Sequence, residues 1–357
     1  MRKIRKLLTV IIIAFTALSL TAASDTCKVL LLVPAVGDKS YFDGAVSGMD
    51  EIRKAYSFVE TEVKAMGRDP SVYESFFLDA SESGDYDLIV TGGGECTEAL
   101  LTAAESYPDQ LFFDFDYQDT YGNELENVSG VYYRSSDMGY LAGYLASQIT
   151  TSGMPGANEE RIIGAVVGMD IPDMNDFVGS FCQAALDNDV RALIRYSDSF
   201  TDQGKAYEAA KAMYDEGCDV IWGVAGIAGL GVFEAAADTG HYSFGVDVDQ
   251  TETVDDERLS GTIVTSFCKE YGKVILNAFR ALLEGNFPGG TARELGLKER
   301  GVGLIENAQY KQMVPEDIKL SLNVMYDKVG RGEIVPYSVM ENPEAWPLLK
   351  ETAEKGQ

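Results

Sequence analysis

Residues 28–55 read KVLLLVPAVGDKSYFDGAVSGMDEIRKA. The uninterrupted apolar run Val29–Val33 predicts a β-strand. After a loop that contains Pro, Gly, Asp and Ser, the segment Phe42–Ala55 has apolar residues at helical spacing. A strand, a loop and a helix in this order form the unit from which parallel α/β sheets are built. This stretch therefore predicts the fold class.

The same unit recurs along the rest of the chain, which predicts an α/β fold. Because ten such strands occur in about 330 residues, we predict two doubly wound parallel-sheet lobes, with a ligand cleft at the carboxyl ends of their strands. The predicted strands are Val29–Val33, Phe58–Val63, Leu88–Thr91, Leu111–Phe115, Ser129–Tyr133, Ile162–Val167, Ala192–Tyr196, Val220–Val224, Ser243–Val246 and Gly261–Thr265. The predicted helices are Phe42–Ala55, Glu95–Ser106, Met138–Thr150, Asp176–Asp187, Gln203–Glu216, Leu230–Thr239 and Lys269–Glu284.

Two glycine patterns have structural interpretations. Gly92–Gly94 precedes Glu95 and lacks the remainder of a phosphate-loop motif, so it predicts a strand-to-helix turn. Gly139-x-x-x-Gly143 lies in an amphipathic helical pattern and predicts close packing between two helices.

The composition argues against several classes of function. The 357 residues include 57 Asp+Glu against 29 Lys+Arg, a formal charge of −28 at pH 7, which repels nucleic acids and anionic lipid surfaces. His241 is the only histidine, so a His-rich zinc site is excluded. The five cysteines are widely spaced and form no CxxC pair, which predicts buried free thiols. We predict neither a metal nor a cofactor.

The N-terminus has the pattern of a secretory signal peptide. Four of the first six residues are basic, and an uncharged run, residues 7–23, follows and ends in small residues. We predict that residues 1–23 are removed on export. The mature chain is then periplasmic or at the cell surface, without a membrane span of its own.

Cys27 leaves lipid anchoring open as an alternative form of export. A lipoprotein signal has small residues just before its cysteine, whereas Asp25 and Thr26 stand there in this chain. A strand-like run also begins directly after Cys27 and leaves no tether. The sequence therefore favours soluble export over an anchor.

Carboxylates, aromatic rings and glycines follow the predicted strands. Asp38, Asp116 and Asp247 each come shortly after a strand. A carboxylate accepts hydrogen bonds from sugar hydroxyls, and an aromatic face stacks on a base or a pyranose ring. Each aspartate is equally suited to cap a helix, so both interpretations stay open.

Paired carboxylates also suit a glycoside-processing enzyme. Spacing alone does not separate a hydrolytic cleft from a binding cleft. No other pattern of nucleophile and base occurs in the sequence, and the chain has an export signal. These two observations favour binding, and we predict that the protein is not an enzyme.

Several short motifs occur in a fixed order along residues 28–336, and this order resembles the basic membrane protein (Bmp) family of substrate-binding proteins. That family includes purine nucleoside receptors of ABC importers. The motifs are LFFDFD (111–116), LAGYLA (141–146), GMDIP (168–172), NDF (175–177), GLGVFEAA (229–236), GVDVDQ (245–250) and GEIVP (332–336).

The resemblance implies a type I periplasmic-binding-protein fold, in which two α/β lobes are joined by three crossovers and close on a ligand. By this analogy the N-terminal lobe comprises residues 28–133 and 250–283. The C-terminal lobe comprises residues 134–249 and 284–345. The implied partners are the permease and the ATPase of an ABC importer.

The resemblance also implies a purine nucleoside stacked between aromatic rings, with its ribose held by Asp and Lys. The family's Asp-Lys-Ser-Phe-Asn motif falls on residues 38–42, so Phe42 stands where the family commonly has Asn. This departure favours a different base or a less hydroxylated ligand. The implied ligand-binding residues are Asp38, Tyr41, Phe42, Asp116, Phe177, Gly226, Asp247 and Lys269.

Three rival functions stay open beside nucleoside import. A sugar or a signal molecule would suit the same scaffold, a sensor would pass its closed state to a membrane receptor, and a secreted glycoside-processing enzyme would use the carboxylates.

Overall fold

The structure is a computed structural model and describes residues 26–117 and 124–356. The predicted signal peptide, residues 1–23, lies outside the described residues. The strands of the described part are β1 (Cys27–Val33), β2 (Val59–Ala65), β3 (Leu88–Thr91), β4 (Phe112–Asp114), β5 (Val128–Tyr133), β6 (Ile162–Val167), β7 (Arg191–Tyr196), β8 (Cys218–Val224), β9 (Tyr242–Val246), β10 (Ile263–Lys269), β11 (Thr291–Leu295) and β12 (Val302–Leu304).

The helices surround these strands. They are α1 (Tyr41–Ala55), α2 (Tyr73–Ser83), α3 (Gly94–Ser106), α4 (Ser135–Thr151), α5 (Pro172–Leu186), α6 (Gln203–Asp215), α7 (Leu230–Thr239), α8 (Gln250–Thr253), α9 (Glu257–Ser260), α10 (Tyr271–Leu283), α11 (Ala308–Met313), α12 (Glu316–Gly330) and α13 (Trp346–Lys355).

The strands form two six-stranded sheets. The order is β11-β5-β4-β3-β1-β2 in the first sheet and β12-β10-β9-β8-β6-β7 in the second. Among the described strands the pairings are parallel, except that β12 runs antiparallel to β10. In each sheet the chain winds outward in both directions from an inner strand, β1 or β6. The predicted class, two doubly wound α/β lobes, is confirmed.

The apolar character of β1 follows from burial on both of its faces. Leu31 belongs to a core that includes Met49 and Ile52 of α1. Leu30 faces the other side and belongs to a core that includes Phe77 of α2. A strand covered by helices on both faces excludes polar residues, which explains the uninterrupted run in the sequence.

The boundary between β10 and α10 differs from the prediction. The strand was predicted over Gly261–Thr265 and the helix over Lys269–Glu284, but β10 continues to Lys269 and α10 begins at Tyr271. The extension is stabilised by β12, because Lys269 pairs with Val302 across the antiparallel edge. β11, β12 and α2 were not predicted. β11 reads TAREL and is mostly exposed, so it lacks the apolar signal of the inner strands.

Three connections cross between the lobes. They run through Arg134 between β5 and α4, through Glu270 between β10 and α10, and through residues 296–301 between β11 and β12. Helix α4 packs on α5 of the second lobe, and α10 returns to pack on α1 of the first.

The observed lobes differ from the expected boundaries at two places. The expectation placed residues 250–283 in the first lobe, yet β10 pairs with β9 in the second sheet. It placed residues 284–345 in the second lobe, yet β11 pairs with β5 in the first sheet. The difference arises because the chain crosses twice within this region, after β10 and again after β11.

Two glycines allow α4 to approach α5 closely. A Cβ atom at Gly139 would lie 1.9 Å from the carbonyl oxygen of Phe177, and one at Gly143 would lie 2.5 Å from that of Phe181. The predicted close helix packing is confirmed. This contact fixes the part of α5 that carries Phe177.

Candidate functional site

A cavity of about 390 Å³ lies between the two lobes. This volume falls in the range of small-molecule sites in proteins. All eight residues predicted from the sequence line it: Asp38, Tyr41, Phe42, Asp116, Phe177, Gly226, Asp247 and Lys269. The structure brings them together because they follow the carboxyl ends of strands in two facing sheets.

The order of the strands gives the cavity two distinct ends. In the first lobe, the residues that follow β4, β3, β1 and β2 are Asp116, Gly93–Glu95, Asp38–Phe42 and Arg68, respectively. In the second lobe, Lys269 ends β10, Asp247 follows β9, Gly226 follows β8 and Phe177 follows β6. We call the end beside the crossovers, with Asp116 and Lys269, the hinge end. The opposite end, with Arg68, is the outer end.

An ion pair between the lobes lies at the hinge end. Lys269 Nζ is 3.1 Å from Asp116 Oδ2, and only 9% and 10% of the two side chains are exposed. The ammonium also lies 5.2 Å from the ring centroids of both Tyr133 and Phe177. Charge pairing and the two aromatic faces stabilise a cation that is largely removed from water.

Asp247 joins the lobes beside this pair. Ser40 Oγ donates a hydrogen bond to Asp247 Oδ2 at 2.5 Å, and the Tyr271 hydroxyl lies 3.3 Å from Oδ1. Burial raises the pKa of Asp247 to about 6, although the Ser40 hydrogen bond and the Lys269 charge oppose this rise. Its backbone has a φ of +68°, which is uncommon for a residue with a side chain and recurs at ligand sites.

Asp38 is a helix cap as well as part of the cavity wall. Its carboxylate accepts hydrogen bonds from the backbone N–H groups of Phe42 at 3.0 Å, Asp43 at 3.1 Å and Ser40 at 3.2 Å. Burial raises its pKa, and these backbone hydrogen bonds oppose the rise. The capping interpretation that the sequence left open therefore holds for Asp38. Its carboxylate fixes the loop that presents Tyr41 and Phe42.

Aromatic side chains form both walls of the cavity. On the first lobe, Tyr41 packs edge-on against Phe42 at 4.9 Å and against Tyr271 at 5.0 Å between ring centroids. On the second lobe, Phe177 and Phe200 line the cavity. A flat ring placed between these walls would bury both of its faces.

Two buried phenol groups lie near the hinge end. Within the described part of the chain, the hydroxyls of Tyr41 and Tyr133 have no well-formed hydrogen bond. Burial raises the pKa of both tyrosines well above its usual value, and the neighbouring Asp116 adds to the rise. Both groups stay protonated at neutral pH and are available as donors.

A second carboxyl group, that of Asp114, accepts a hydrogen bond from the Asp116 backbone. Asp114 is fully buried, accepts a hydrogen bond from the Asp116 backbone N–H at 3.0 Å and accepts another from Thr97 Oγ1 at 3.1 Å. Burial raises the pKa of Asp114 to about 8. A neutral carboxyl thus positions Asp116 without adding a second full charge.

Further contacts hold the lobes together across the cleft. Lys39 Nζ forms an ion pair with Asp255 at 3.2 Å, and Gln250 Nε2 donates to the Lys39 carbonyl at 3.1 Å. Together with the Ser40–Asp247 hydrogen bond, these contacts define a closed arrangement of the two lobes.

Several cavity residues were missed by the sequence analysis. Each lies near the carboxyl end of a strand or in the first turn of the following helix, so proximity to a strand end was the signal available. They are Arg68, Glu95, Phe200 and Tyr271, together with Ser40, which does not line the cavity itself but contacts the lining residue Asp247.

The structure also bears on metals, membranes and the cysteines. Residues 26–117 and 124–356 contain no group of three His, Cys, Asp or Glu side chains arranged to hold a metal ion. In that same part of the chain, none of the helices is both long and apolar enough to cross a membrane. All five cysteines are free thiols, and only Cys27 is not fully buried.

A family model agrees with this architecture. The model described as "ABC transporter substrate-binding protein PnrA-like" matches residues 27–336. Among curated proteins, basic membrane protein A of Borreliella burgdorferi is 27% identical over 335 residues, covering 92% of each chain. An uncharacterized lipoprotein of Pyrococcus furiosus is 28% identical over 347 residues, covering 92% of this chain and 82% of its own.

Solved structures of solute-binding proteins have the same fold. A protein of an ABC transporter system from Aeropyrum pernix is 26% identical, with a TM-score of 0.76 over 92% of this chain and 98% of its own. One from Conexibacter woesei is 20% identical, with a TM-score of 0.72 over 87% and 99% of the two chains, a likeness of fold alone. The expected type I periplasmic-binding-protein fold is thereby confirmed.

Proposed function

This chain belongs to the Bmp family of PnrA-like ABC transporter substrate-binding proteins, and from that premise we propose that it captures a purine nucleoside between its two lobes. It is an extracytoplasmic solute-binding protein of an ABC transporter, and its partners are a permease and an ATPase. The identity of the solute, the orientation in which it binds and the roles of the eight cavity residues are parts of the proposal.

The observation that carries the proposal is that the cavity has a charged, hydrogen-bonding end and an aromatic middle. The hinge end has the carboxylates of Asp116 and Asp247 beside the Lys269 ammonium. The middle has aromatic walls, with Phe42 on one lobe and Phe177 on the other. A nucleoside has the matching division, because its sugar carries hydroxyls and its base is a flat ring.

This match predicts the orientation of the ligand. The ribose would lie at the hinge end, where its hydroxyls donate to Asp247 and Asp116 and accept from Lys269. Hydrogen bonds to charged groups contribute about 1.5–3 kcal/mol each. The base would lie between the aromatic walls, where stacking contributes about 1–3 kcal/mol.

One face of the Phe177 ring is already in contact with a cation. The Lys269 ammonium lies 5.2 Å from the centroid of the Phe177 ring. A base would therefore stack on the opposite face and would meet the first-lobe wall at Tyr41 and Phe42. Gly226, at a φ of +55°, brings its backbone to the cavity without a side chain.

The charge of the cleft favours nucleosides over nucleotides. The carboxylates of Asp38, Asp116 and Asp247 line the cavity, and its lining cations are Lys269 at the hinge end and Arg68 at the outer end. Desolvated carboxylates repel a phosphate group at close range. A neutral nucleoside avoids this repulsion.

The mode of export is a separate part of the proposal. We propose soluble export, with acylation of Cys27 as the alternative that the lipoprotein names of some relatives favour. Cys27 is the first residue of β1, and its N–H group donates to the Phe58 carbonyl at 3.2 Å. An acyl chain at this position would hold the amino-terminal end of β1 directly against the membrane. Metabolic labelling with a radioactive fatty acid distinguishes the two, because only the anchored form would retain label.

A ligand panel tests the nucleoside proposal directly. Purified protein is titrated by calorimetry with purine nucleosides, the free bases, ribose and a nucleoside monophosphate. We expect tight binding of a purine nucleoside, weaker binding of the base or the sugar alone, and rejection of the monophosphate. A specific ligand also raises the melting temperature as mass action requires.

The other outcomes of the panel identify the rivals. Tight binding of a sugar, with none of any nucleoside, would overturn the proposal in favour of a sugar-binding protein on the same fold. Slow chemical conversion of the bound ligand would revive the glycoside-processing enzyme.

A further inference from the structure

Two charged side chains that the sequence analysis did not select line the cavity, Arg68 at its outer end and Glu95 closer to the hinge end. Arg68 follows β2, and Glu95 lies in the first turn of α3 after β3. β1 lies between these strands in the sheet, so the two residues flank the loop that carries Tyr41 and Phe42. Neighbouring strands are about 4.8 Å apart, which places the two backbones about 10 Å from each other.

The backbone holds both residues firmly. The segment before Arg68 is tied to the end of β1, because Met66 N–H donates to the Val33 carbonyl at 2.9 Å and Gly67 N–H donates to the Pro34 carbonyl at 3.0 Å. The Tyr73 hydroxyl donates to the Gly67 carbonyl at 2.9 Å.

Glu95 is held by the start of its helix. Gly93 adopts a φ of +101° and reverses the chain from β3 into α3. The Cys96 N–H group donates to the Gly93 carbonyl at 2.8 Å and closes the first turn. Burial raises the pKa of Glu95, and the nearby Arg68 charge opposes the rise, so the two groups interact electrostatically.

Neither side chain has a polar partner within the described part of the protein. In the described part of the chain, no ion pair or side-chain hydrogen bond involves Arg68 or Glu95. A guanidinium and a carboxylate thus face one cavity with their hydrogen-bonding capacity free. Arg68 lies at the outer end, and Glu95 lies between Asp116 and the loop that carries Tyr41 and Phe42, so the two side chains flank the aromatic wall where the proposed orientation places the base.

We propose that Arg68 and Glu95 form hydrogen bonds with the edge of the base. These bonds give the site a preference for 6-oxopurine nucleosides, guanosine above all. The inference rests on the proposed nucleoside function and adds the class of base. Guanine presents two acceptors, O6 and N7, that match a guanidinium fork. It also presents N1–H and N2–H₂ donors, which a carboxylate accepts together.

Adenine has the opposite pattern at the same edge. Its N6 amino group donates where guanine accepts, and its N1 accepts where guanine donates. Bound adenosine would offer Arg68 only the N7 acceptor and Glu95 only the N6 amino group, so it would form fewer hydrogen bonds with these two side chains than guanosine does. Hypoxanthine keeps O6 and N1–H but lacks the amino group, so inosine should rank between the two.

Calorimetry with guanosine, inosine and adenosine tests this inference on the full exported chain. We expect guanosine to bind about tenfold or more tightly than adenosine. Glu95→Gln should weaken guanosine binding by about tenfold and change adenosine binding by less than about threefold. Arg68→Gln should weaken guanosine and inosine alike, because both carry O6. Glu98→Gln is the matched control, since Glu98 is exposed on the same helix and does not line the cavity.

The outcomes separate this inference from the function on which it rests. If purine nucleosides bind but adenosine equals or exceeds guanosine, the base-edge inference is overturned and the nucleoside function stands. The same conclusion follows if the ratio of guanosine to adenosine affinity is equal in the wild type and in Glu95→Gln. If none of the three nucleosides binds, both proposals are overturned.

Discussion

Lys269 Nζ, at the end of β10, lies 3.1 Å from Asp116 Oδ2, which follows β4 in the other lobe. The ion pair spans the cleft at its hinge end, one residue before the crossover at Glu270. A ligand that exchanges hydrogen bonds with this pair contacts both lobes and a connection between them at once. We therefore expect Lys269 to couple binding to the closed arrangement.

Removal of the Lys269 charge should reduce both stability and binding. Lys269→Met leaves a buried carboxylate without its counter-charge, which costs about 3–5 kcal/mol. We expect this loss in the free energy of urea unfolding and a loss of nucleoside binding by calorimetry. In the double variant Lys269→Met/Asp116→Asn, stability should largely recover because no buried charge is left unpaired, whereas binding should stay weak.

A surface lysine on the adjoining helix is the control for this series. Lys273 is 62% exposed in its side chain and pairs with Glu270. Lys273→Met should change the unfolding free energy by no more than about 0.5 kcal/mol. A Lys269→Met variant as stable as the wild type would show that the ion pair is not desolvated as described.

The affinity for a nucleoside should depend on pH through Asp247. Its pKa is raised to about 6 by burial. Ribose hydroxyls donate to the carboxylate and not to the neutral acid, so affinity should be constant above this value. Below it, affinity should fall by up to tenfold per pH unit, because the proton must be released on binding. Calorimetry between about pH 7.5 and about pH 5 measures this dependence.

An amide at position 247 is the control for the pH series. Asp247→Asn should weaken binding at neutral pH by more than about tenfold. Its residual affinity should no longer change across the same pH range. A wild-type affinity that stays constant down to about pH 5 would argue against a ligand contact by the Asp247 carboxylate.

Stability without ligand should change with pH in the opposite direction, and Asp114 is the main reason. The pKa of Asp114 is raised to about 8 in the fold, against about 3.9 in an unfolded chain. A carboxyl with a raised pKa contributes stability that is fully present below the unfolded value. That stability is lost as pH rises through the folded value. Above about pH 6, where the Asp247 carboxyl has lost its proton, the unfolding free energy should therefore fall up to about pH 8 with a slope of up to about 1.4 kcal/mol per pH unit.

Asp114→Asn should remove most of this slope. The amide oxygen can still accept from the Asp116 N–H group, and the side chain stays neutral at every pH. Asp85→Asn, at an exposed position, should keep the wild-type slope. Urea unfolding at several pH values compares the three proteins, and an unchanged slope in Asp114→Asn would contradict the assignment.

The sequence analysis located cavity-lining residues better than it located the contacts that those residues make. All eight predicted residues line the cavity because a parallel α/β sheet brings the ends of its strands to one edge. The role of Asp38 as a helix cap depends on its backbone hydrogen bonds, and spacing alone left that role open. Ser40 lay within the matched motif, but its contact with Asp247 depends on how closely the lobes approach.

Residues missed by the sequence analysis depend on tertiary burial or on later crossovers. Asp114 lies inside a predicted strand, and its raised pKa results from burial between the sheet and α3. Tyr271 begins α10, whose start was predicted two residues too early because β12 extends β10. The lobe boundaries after residue 250 differ for a related reason: β11 is short, charged and exposed, so its return to the first sheet leaves little apolar pattern.

The final prediction concerns the contact that positions Phe177. A Cβ atom at Gly139 would lie 1.9 Å from the Phe177 carbonyl oxygen, which belongs to the backbone and has no room to move away alone. Gly139→Ala should therefore push α4 and α5 apart and cost about 1–3 kcal/mol in the free energy of unfolding. It should also weaken nucleoside binding, because Phe177 moves with α5.

Gly204→Ala is the control for this variant. Its Cβ would meet only Asp202 Oδ1 at 3.4 Å in an exposed helix, where Ala is favoured by up to about 1 kcal/mol. Urea unfolding and calorimetry of both variants give the comparison, and a Gly139→Ala protein with wild-type stability and affinity would show that this helix contact does not determine the position of the aromatic wall.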